Sequence, residues 1–160
     1  MSVRAAGAAD AEAVAAIWNR AIRETTVTFN PVEKPVEEVA ALIAEGRTFV
    51  WVTPEGAVAG FARWFQFRGG AGYRHTAEHT VMLSEAARGQ GAGRGLMEAI
   101  FRDARAAGIH TIFAGCSAEN PGAVTFHAAM GFARVATLPE VGFKFGRWID
   151  LVLMQKRLHD

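Results

Sequence analysis

The segment Arg88-Gly89-Gln90-Gly91-Ala92-Gly93-Arg94-Gly95 is the part of this chain whose residue types most directly suggest chemistry. Its glycines let successive backbone N–H groups turn inward on a concave arc. Exposed amides, the positive end of a following helix, and Arg88 or Arg94 together suit a pyrophosphate. Two well-known phosphate-binding patterns fail here. A P-loop ends in Gly-Lys-Ser/Thr, where this chain has Arg94-Gly95-Leu96. The dinucleotide fingerprint G-x-G-x-x-G/A needs Gly or Ala at 96 or at 94, and those positions hold Leu96 and Arg94. What remains is Arg88-x-x-Gly91-x-Gly93, a pattern that a ligand-free, helix-capping turn can also satisfy. Other reactive side chains carry less. Cys116 is the single cysteine, no histidine motif accompanies it, and its surroundings are apolar, so it reads as a structural thiol. His75 and His110 form no metal-ligand spacing, and no metal is expected.

The elements that must position this segment follow from periodicity. Met1 to Ala6 reads as a short strand, and Asp10 as the N-cap of a helix carrying Ala13, Val14, Ile17, Trp18, Ala21 and Ile22 at helical spacing. Glu24 to Pro35 is a Thr-rich loop containing Phe29. Val36 to Glu45 is a second helix, closed by Gly46. Thr48 to Thr53 and Ala57 to Phe67 read as strands around the turn Pro54-Glu55-Gly56. Arg68 to Gly72 is a flexible loop. Arg74 to Leu83 alternates as a strand, with Thr76, Glu78, Thr80 and Met82 on one face. The glycine segment then opens a helix that runs to Ala107. Thr111 to Cys116 is a buried strand. Asn120-Pro121 starts a further helix that stops at Gly131, and Phe132 to Leu138 and Ile149 to Leu158 are the last strands. This β-α-α-β-β-β-α-β-α-β-β order predicts one α/β domain over residues 1–160.

Composition excludes several classes. A net charge of +1 gives no basic excess for a general nucleic-acid binder. No apolar run approaches a membrane span, and Met1-Ser2-Val3-Arg4 lacks the apolar core of a signal peptide. One cysteine cannot form an internal disulfide, which suits a reducing cytoplasm.

Arg88, Gly91 and Gly93 match the (Gln/Arg)-x-x-Gly-x-(Gly/Ala) pattern of the GCN5-related N-acetyltransferases. Further blocks resemble the phosphinothricin and methionine sulfone branch of that superfamily. They are Ile17-Trp18-Asn19 with Glu24 to Phe29, Thr76 to Leu83, Asn120-Pro121 to His127 with Met130-Gly131-Phe132, and Val141 to Asp150. They occur in the family's order and cover most of the chain. The resemblance implies a GNAT fold, α/β (α+β), with a mixed central sheet of about seven strands flanked by four helices. It implies acetyl-CoA as cosubstrate, held by the backbone of Val81, Met82 and Leu83 as if by an added strand. Gly89, Gln90, Gly91, Ala92, Gly93 and Arg94, with Arg88, would cradle the pyrophosphate, and Asn120 would bond the pantetheine. This chain departs from the family at Ala123, where Ser is frequent, and at Met82, where Tyr is frequent. The loop Arg68 to Gly72 lacks the branch's usual proline.

The implied reaction moves an acetyl group to the α-amine of a small amino-acid analogue such as L-methionine sulfone, methionine sulfoximine or phosphinothricin, by direct attack on the thioester. An amine attacks only when neutral, so a base is needed, and Glu78 stands where the resembling enzymes place one. A backbone N–H of Val81 or Met82 would stabilise the oxyanion. His127 occupies the position of the family's thiolate-protonating Tyr, and water is the alternative acid. The acceptor's carboxylate calls for a guanidinium, from Arg68 or Arg74. Phe29, His79 and Thr80 are further acceptor-pocket candidates by resemblance. The resembling enzymes are homodimers, and a homodimer is expected. Two alternatives stay open: acetylation of another small amine or a protein N-terminus, and a non-catalytic acyl-CoA-binding module.

Overall fold

A computed structural model describes residues 2–159. Strands β1 (Ser2–Ala5), β2 (Thr48–Val52), β3 (Val58–Gln66), β4 (Thr76–Leu83), β5 (Thr111–Ser117), β6 (Ala133–Lys144) and β7 (Arg147–Arg157) form one 7-stranded sheet in the order β1-β2-β3-β4-β5-β7-β6. Helices α1 (Ala11–Glu24) and α2 (Val36–Ala44) cover one face, with Val14, Ile22 and Val39 packed on Val50, Phe61 and Met82. Helices α3 (Ala92–Ala106) and α4 (Pro121–Ala129) cover the other, where Leu96, Met97 and Ile100 meet Trp51, Ala62 and Ile112. The period-2 alternation of β4 explains this division. Met82 joins the first cluster, while Ala77, Val81 and Leu83 join the second. No helix among the described residues is long and apolar enough to cross a membrane.

All neighbouring strands are antiparallel except β4 and β5, which run parallel and are joined through α3. Their pairing is short. It covers Thr76↔Thr111, Ala77↔Ile112 and Glu78↔Phe113, and then ends. Beyond that point β4 stays paired only with β3, as far as Leu83↔Gly60, and β5 only with β7, as far as Ser117↔Leu151. The sheet therefore opens as a wedge at the carboxyl ends of its one parallel pair, a place where α/β sheets bind ligands.

Three local expectations are refined. Asp10 takes the N-cap position of α1 as expected, but its side chain makes no cap bond there; the carboxylate accepts from the Gly7 N–H at 2.8 Å and pairs with Arg4 at 2.8 Å. Strand β4 begins at Thr76, because Ala71–Tyr73 forms a 3₁₀ turn. Strand β6 does not stop at Leu138. It absorbs Pro139 to Val141 in a bulge, where the register jumps from Leu138↔Leu151 to Gly142↔Ile149. Glu140 (φ 52) donates its N–H to Asp150 Oδ1 at 2.8 Å, which holds the bulge. The first strand expected from Met1 begins one residue outside the described range.

Candidate active site

The wedge widens into a cleft of about 1090 Å³. One wall is β4 from Glu78 to Leu83. Opposite stand Gly115 to Ser117 of β5 and, from α4, Asn120, Ala123 and His127. The roof is the end of α1 with the loop Thr25, Val27, Thr28, Phe29 and Asn30. Since β4 is bonded on its β3 side only, alternate peptide groups between 79 and 83 turn their N–H and C=O toward the cleft. An extended ligand carrying amides can pair there like a strand.

At one end lies the glycine segment. Gly89 and Gly91 have φ of +73° and +76°, a backbone that L side chains rarely adopt. Gly91 is the N-cap of α3 and supplies no side-chain acceptor, so the first amides of the helix lack a side-chain cap. A Cβ on Gly93 would stand 3.0 Å from Phe126 Cε1. Arg88 and Gly93 line the cleft. Gln90 donates to Ala86 O at 2.6 Å, and Arg94 lies 4.0 Å from Glu98, outside the cleft lining. Asn120 caps α4, its Oδ1 accepting from Ala123 N–H at 3.2 Å, and still lines the cleft.

At the other end Glu78 stands where β4 parts from β5. It is half-buried, and among the described residues no side chain pairs with its carboxylate. Burial raises its carboxyl above the ordinary range. Gly115 makes the room: a Cβ there would sit 3.4 Å from Glu78 Oε2. His79 lies behind the same strand, stacked on His127 with ring centroids 5.0 Å apart. Burial, and secondarily His127, push His79 down to about 3, so it is neutral. Burial also lowers His127, whose Nδ1 lies 2.7 Å from Ala123 O. A neutral ring that donates from Nδ1 has Nε2 as an acceptor, and that atom is buried without a partner.

Among the sequence candidates, Glu78, His79, Thr80, Val81, Met82, Leu83, Arg88, Gly93, Asn120, His127 and Phe29 meet in this one cleft. Arg68 and Arg74 do not line it. Arg68 lies over the Tyr73 ring at 5.6 Å, and Arg74 Nε donates to His75 Nε2 at 3.1 Å. The structure adds Arg20 and Lys34 as cations of the lining, which helical periodicity and loop composition do not single out. It also brings Cys116 Sγ to 3.6 Å from His127 Nδ1, a contact absent from any local motif. The thiol stays protonated, because burial pushes it up to about 11. No three His, Cys, Asp or Glu side chains among the described residues are grouped to hold a metal ion.

Residues 14–132 match the model of the Acetyltransferase (GNAT) family. The chain belongs to that family. It is 37% identical to the L-amino acid N-acyltransferase MnaT of Escherichia coli strain K12, over 100% of this chain and 95% of that one. It is 34% identical to the L-methionine sulfoximine/L-methionine sulfone acetyltransferase of Salmonella typhimurium, over 100% and 96%. The structure of yncA from Salmonella typhimurium, solved with its cofactor acetyl-CoA, superposes with a TM-score of 0.94 at 33% identity, covering 100% of this chain and 95% of that one. The mixed seven-stranded sheet with four helices is thus the GNAT fold, and the chain is an acetyltransferase of that family.

Proposed function

We propose that this acetyltransferase moves the acetyl group of acetyl-CoA to the α-amine of a small amino acid analogue, with L-methionine sulfone, L-methionine sulfoximine and phosphinothricin as the acceptor class. The observation that carries this reading is Glu78: an unpaired carboxylate, raised by burial, inside the cleft and at the point where β4 frees its edge. The names of relatives that act on L-methionine sulfoximine and L-methionine sulfone, and on phosphinothricin, support the acceptor class.

The residues present fit acetyl-CoA. The free edge of Val81, Met82 and Leu83 suits the amides of a pantetheine arm, and Asn120 faces the same space. The backbone amides of Gly89 to Arg94 at the N-terminus of α3, without a side-chain cap and beside Arg88, suit a pyrophosphate. Acetyl-CoA supplies a thioester acyl group, activated toward amines. Glu78 takes the proton that the acceptor amine must lose, directly or through water. A β4 N–H turned to the cleft, from Val81 or Met82, faces the negative oxygen that develops. His127 is held neutral with its Nδ1–H given to Ala123, so it is poorly set to deliver a proton, and we assign protonation of the departing thiolate to water. Arg68 and Arg74, the arginines the resemblance offers for the acceptor's carboxylate, pair with no carboxylate among the described residues, but neither lines the cleft, and Arg74 donates to His75. Arg20, by contrast, is engaged by Glu24 at 2.8 Å and Glu85 at 3.2 Å.

We also propose a cytoplasmic homodimer. Phe143, Phe145 and Trp148 are exposed by 53%, 53% and 62%, an apolar group on the β6–β7 hairpin that a second copy would cover. The test of function is coenzyme A thiol release over a panel containing the named analogues, ordinary L-amino acids and an N-terminal peptide. Release that depends on an analogue's amine supports the reading. Release without any amine, or with the peptide alone, overturns it.

A further inference from the structure

We infer that Lys144, at the tip of the β6–β7 hairpin, is a positioning residue for the amine acceptor, acting by clamping the loop that roofs the acceptor end of the cleft. The inference rests on the acetyl-transfer reading above.

Lys144 is buried, at 3% exposure, yet no carboxylate lies within ion-pair distance of it among the described residues. Its ammonium donates to two backbone carbonyls, Thr25 O at 2.6 Å and Thr28 O at 2.8 Å. The ring of Phe145 lies 5.1 Å from Nζ. Burial lowers the ammonium below its ordinary range. A cation taken from water and met by neutral oxygens and a ring, with no carboxylate, is costly, and an apolar side chain would fill the space without that cost. What the ammonium does gain is geometry, since charge-assisted bonds to both carbonyls hold the turn between them.

Three further contacts converge on the same loop. The Phe29 ring lies close against Gly142, where any Cβ would collide with it. Thr26 Oγ1 donates to Glu119 at 3.1 Å, and Arg147 grips that carboxylate at 2.6 and 2.8 Å. Gly142 and Lys144 share one face of β6 by period 2, and Lys144 pairs directly with Arg147 across the turn. That turn is Phe145-Gly146, with φ of 53° and 76°, the tight hairpin geometry that fixes register, here with a strained non-glycine residue at its first position. The hairpin tip thus presents Gly142, Lys144 and Arg147 together. What they hold is the loop from Thr25 to Phe29, of which Thr25, Val27, Thr28 and Phe29 line the cleft that also holds Glu78. Thr25, Val27, Phe145 and Arg147 also line a second pocket with Arg88 and Asn120, so the bias of the Lys144 clamp toward the acceptor rests on Thr28 and Phe29, which line the cleft that holds Glu78 but not that second pocket.

The test compares wild type with Lys144→Met, an unbranched apolar stem one atom shorter that loses both bonds, and with Lys144→Gln, a neutral donor of about the same reach as Met. Steady-state rates are measured with the amine and acetyl-CoA varied separately. Released from the clamp, the loop populates its acceptor-ready form only in part, and apparent amine affinity falls by that fraction. Expected is a rise in amine KM of about tenfold for Lys144→Met, less for Lys144→Gln, with acetyl-CoA KM changed by less than about twofold. Chymotrypsin cleavage after Phe29 should accelerate in the same order, a readout that needs no turnover. A Lys144→Met protein with unchanged amine KM and unchanged cleavage overturns the clamp. Equal rises in both KM values also overturn it, because they would mark a general loss of structure. Failure of the wild type to acetylate any of the amines would instead strike at the acceptor class, and the cleavage comparison would still decide the clamp.

Discussion

Replacing Glu78 by Gln should abolish most turnover while leaving the fold as stable as before. The substitution is nearly isosteric, and the pocket that Gly115 opens beside the carboxylate accepts an amide of the same size. No ion pair or side-chain hydrogen bond to Glu78 is lost, because the carboxylate has none among the described residues. The loss is therefore that of a proton acceptor. Positioned general bases contribute about 10²–10⁴ in rate, so a fall in kcat/KM of about 10³, or about 4 kcal/mol in the barrier, is expected at neutral pH. The assay is initial thiol release at subsaturating amine across the pH range. The free amine alone gives log(kcat/KM) a slope of one toward acid. In the wild type this slope should steepen by a further unit once the pH drops below the raised carboxyl value of Glu78, and Glu78→Gln should lack that second bend. Stability should move in the other direction. The folded carboxyl holds its proton more tightly than the unfolded one, so stability declines as pH rises from the ordinary carboxyl value to the raised one and stays at that lower level above it. Gln carries no such cost, and Tm of Glu78→Gln at pH 8 should equal or exceed that of the wild type. Full activity across pH would refute the base assignment. A lower Tm with a shared rise in both KM values would show that Glu78 is structural.

The glycine segment, the thiol and the apolar hairpin give further tests. Gly91→Ala places a Cβ where φ is +76°, which should cost about 1–2 kcal/mol of stability by thermal melting and raise acetyl-CoA KM more than amine KM. Cys116→Ala should keep kcat within about twofold, and the native thiol should resist a thiol-specific reagent until the protein unfolds, since it is buried and pushed up to about 11. Trp148→Glu should convert a dimer to a monomer by light scattering, because Trp148 is 62% exposed and packs with Phe143 at 4.7 Å on the outer face of the hairpin; a wild-type monomer would remove the basis for this expectation.

Much of the fold was legible because its signals are local. Helical spacing located α1 and α3, Gly46 and Gly131 marked helix ends, and alternation sorted the faces of β4 correctly. The errors arose where a local signal competes with pairing. The strand expected over Phe132 to Leu138 runs on through Pro139 and Gly142 in β6, because Asp150 satisfies the bulged backbone from the neighbouring strand. Asp10 has the right residue type for a cap, but Arg4 lies close enough to take its carboxylate. Within the site, the glycine segment, Glu78 and Asn120 announce themselves by type and spacing. Lys144 does not. Its partners are backbone carbonyls 119 and 116 residues away, which have no residue identity to pattern on. The pairing of His127 with Cys116 is hidden for a similar reason, since it forms only when α4 packs on β5.

The parting of β4 from β5 after Glu78 links these features physically. Continued pairing would have consumed the peptide groups of residues 79–83, closed the space now faced by Asn120 and His127, and covered Glu78 with a neighbouring strand. Ending it frees a backbone edge, opens a cleft, and leaves one carboxylate half out of water at the apex. Elevation of that carboxyl follows from desolvation alone, without a neighbouring negative charge. A base raised by desolvation is sensitive to how well the cleft is roofed, and the roof is the Thr25 to Asn30 loop. The hairpin tip that holds this loop therefore affects both where the acceptor sits and how dry Glu78 is. A variant that loosens Lys144 should accordingly shift the acid bend of kcat/KM downward toward the ordinary carboxyl value, in addition to raising amine KM.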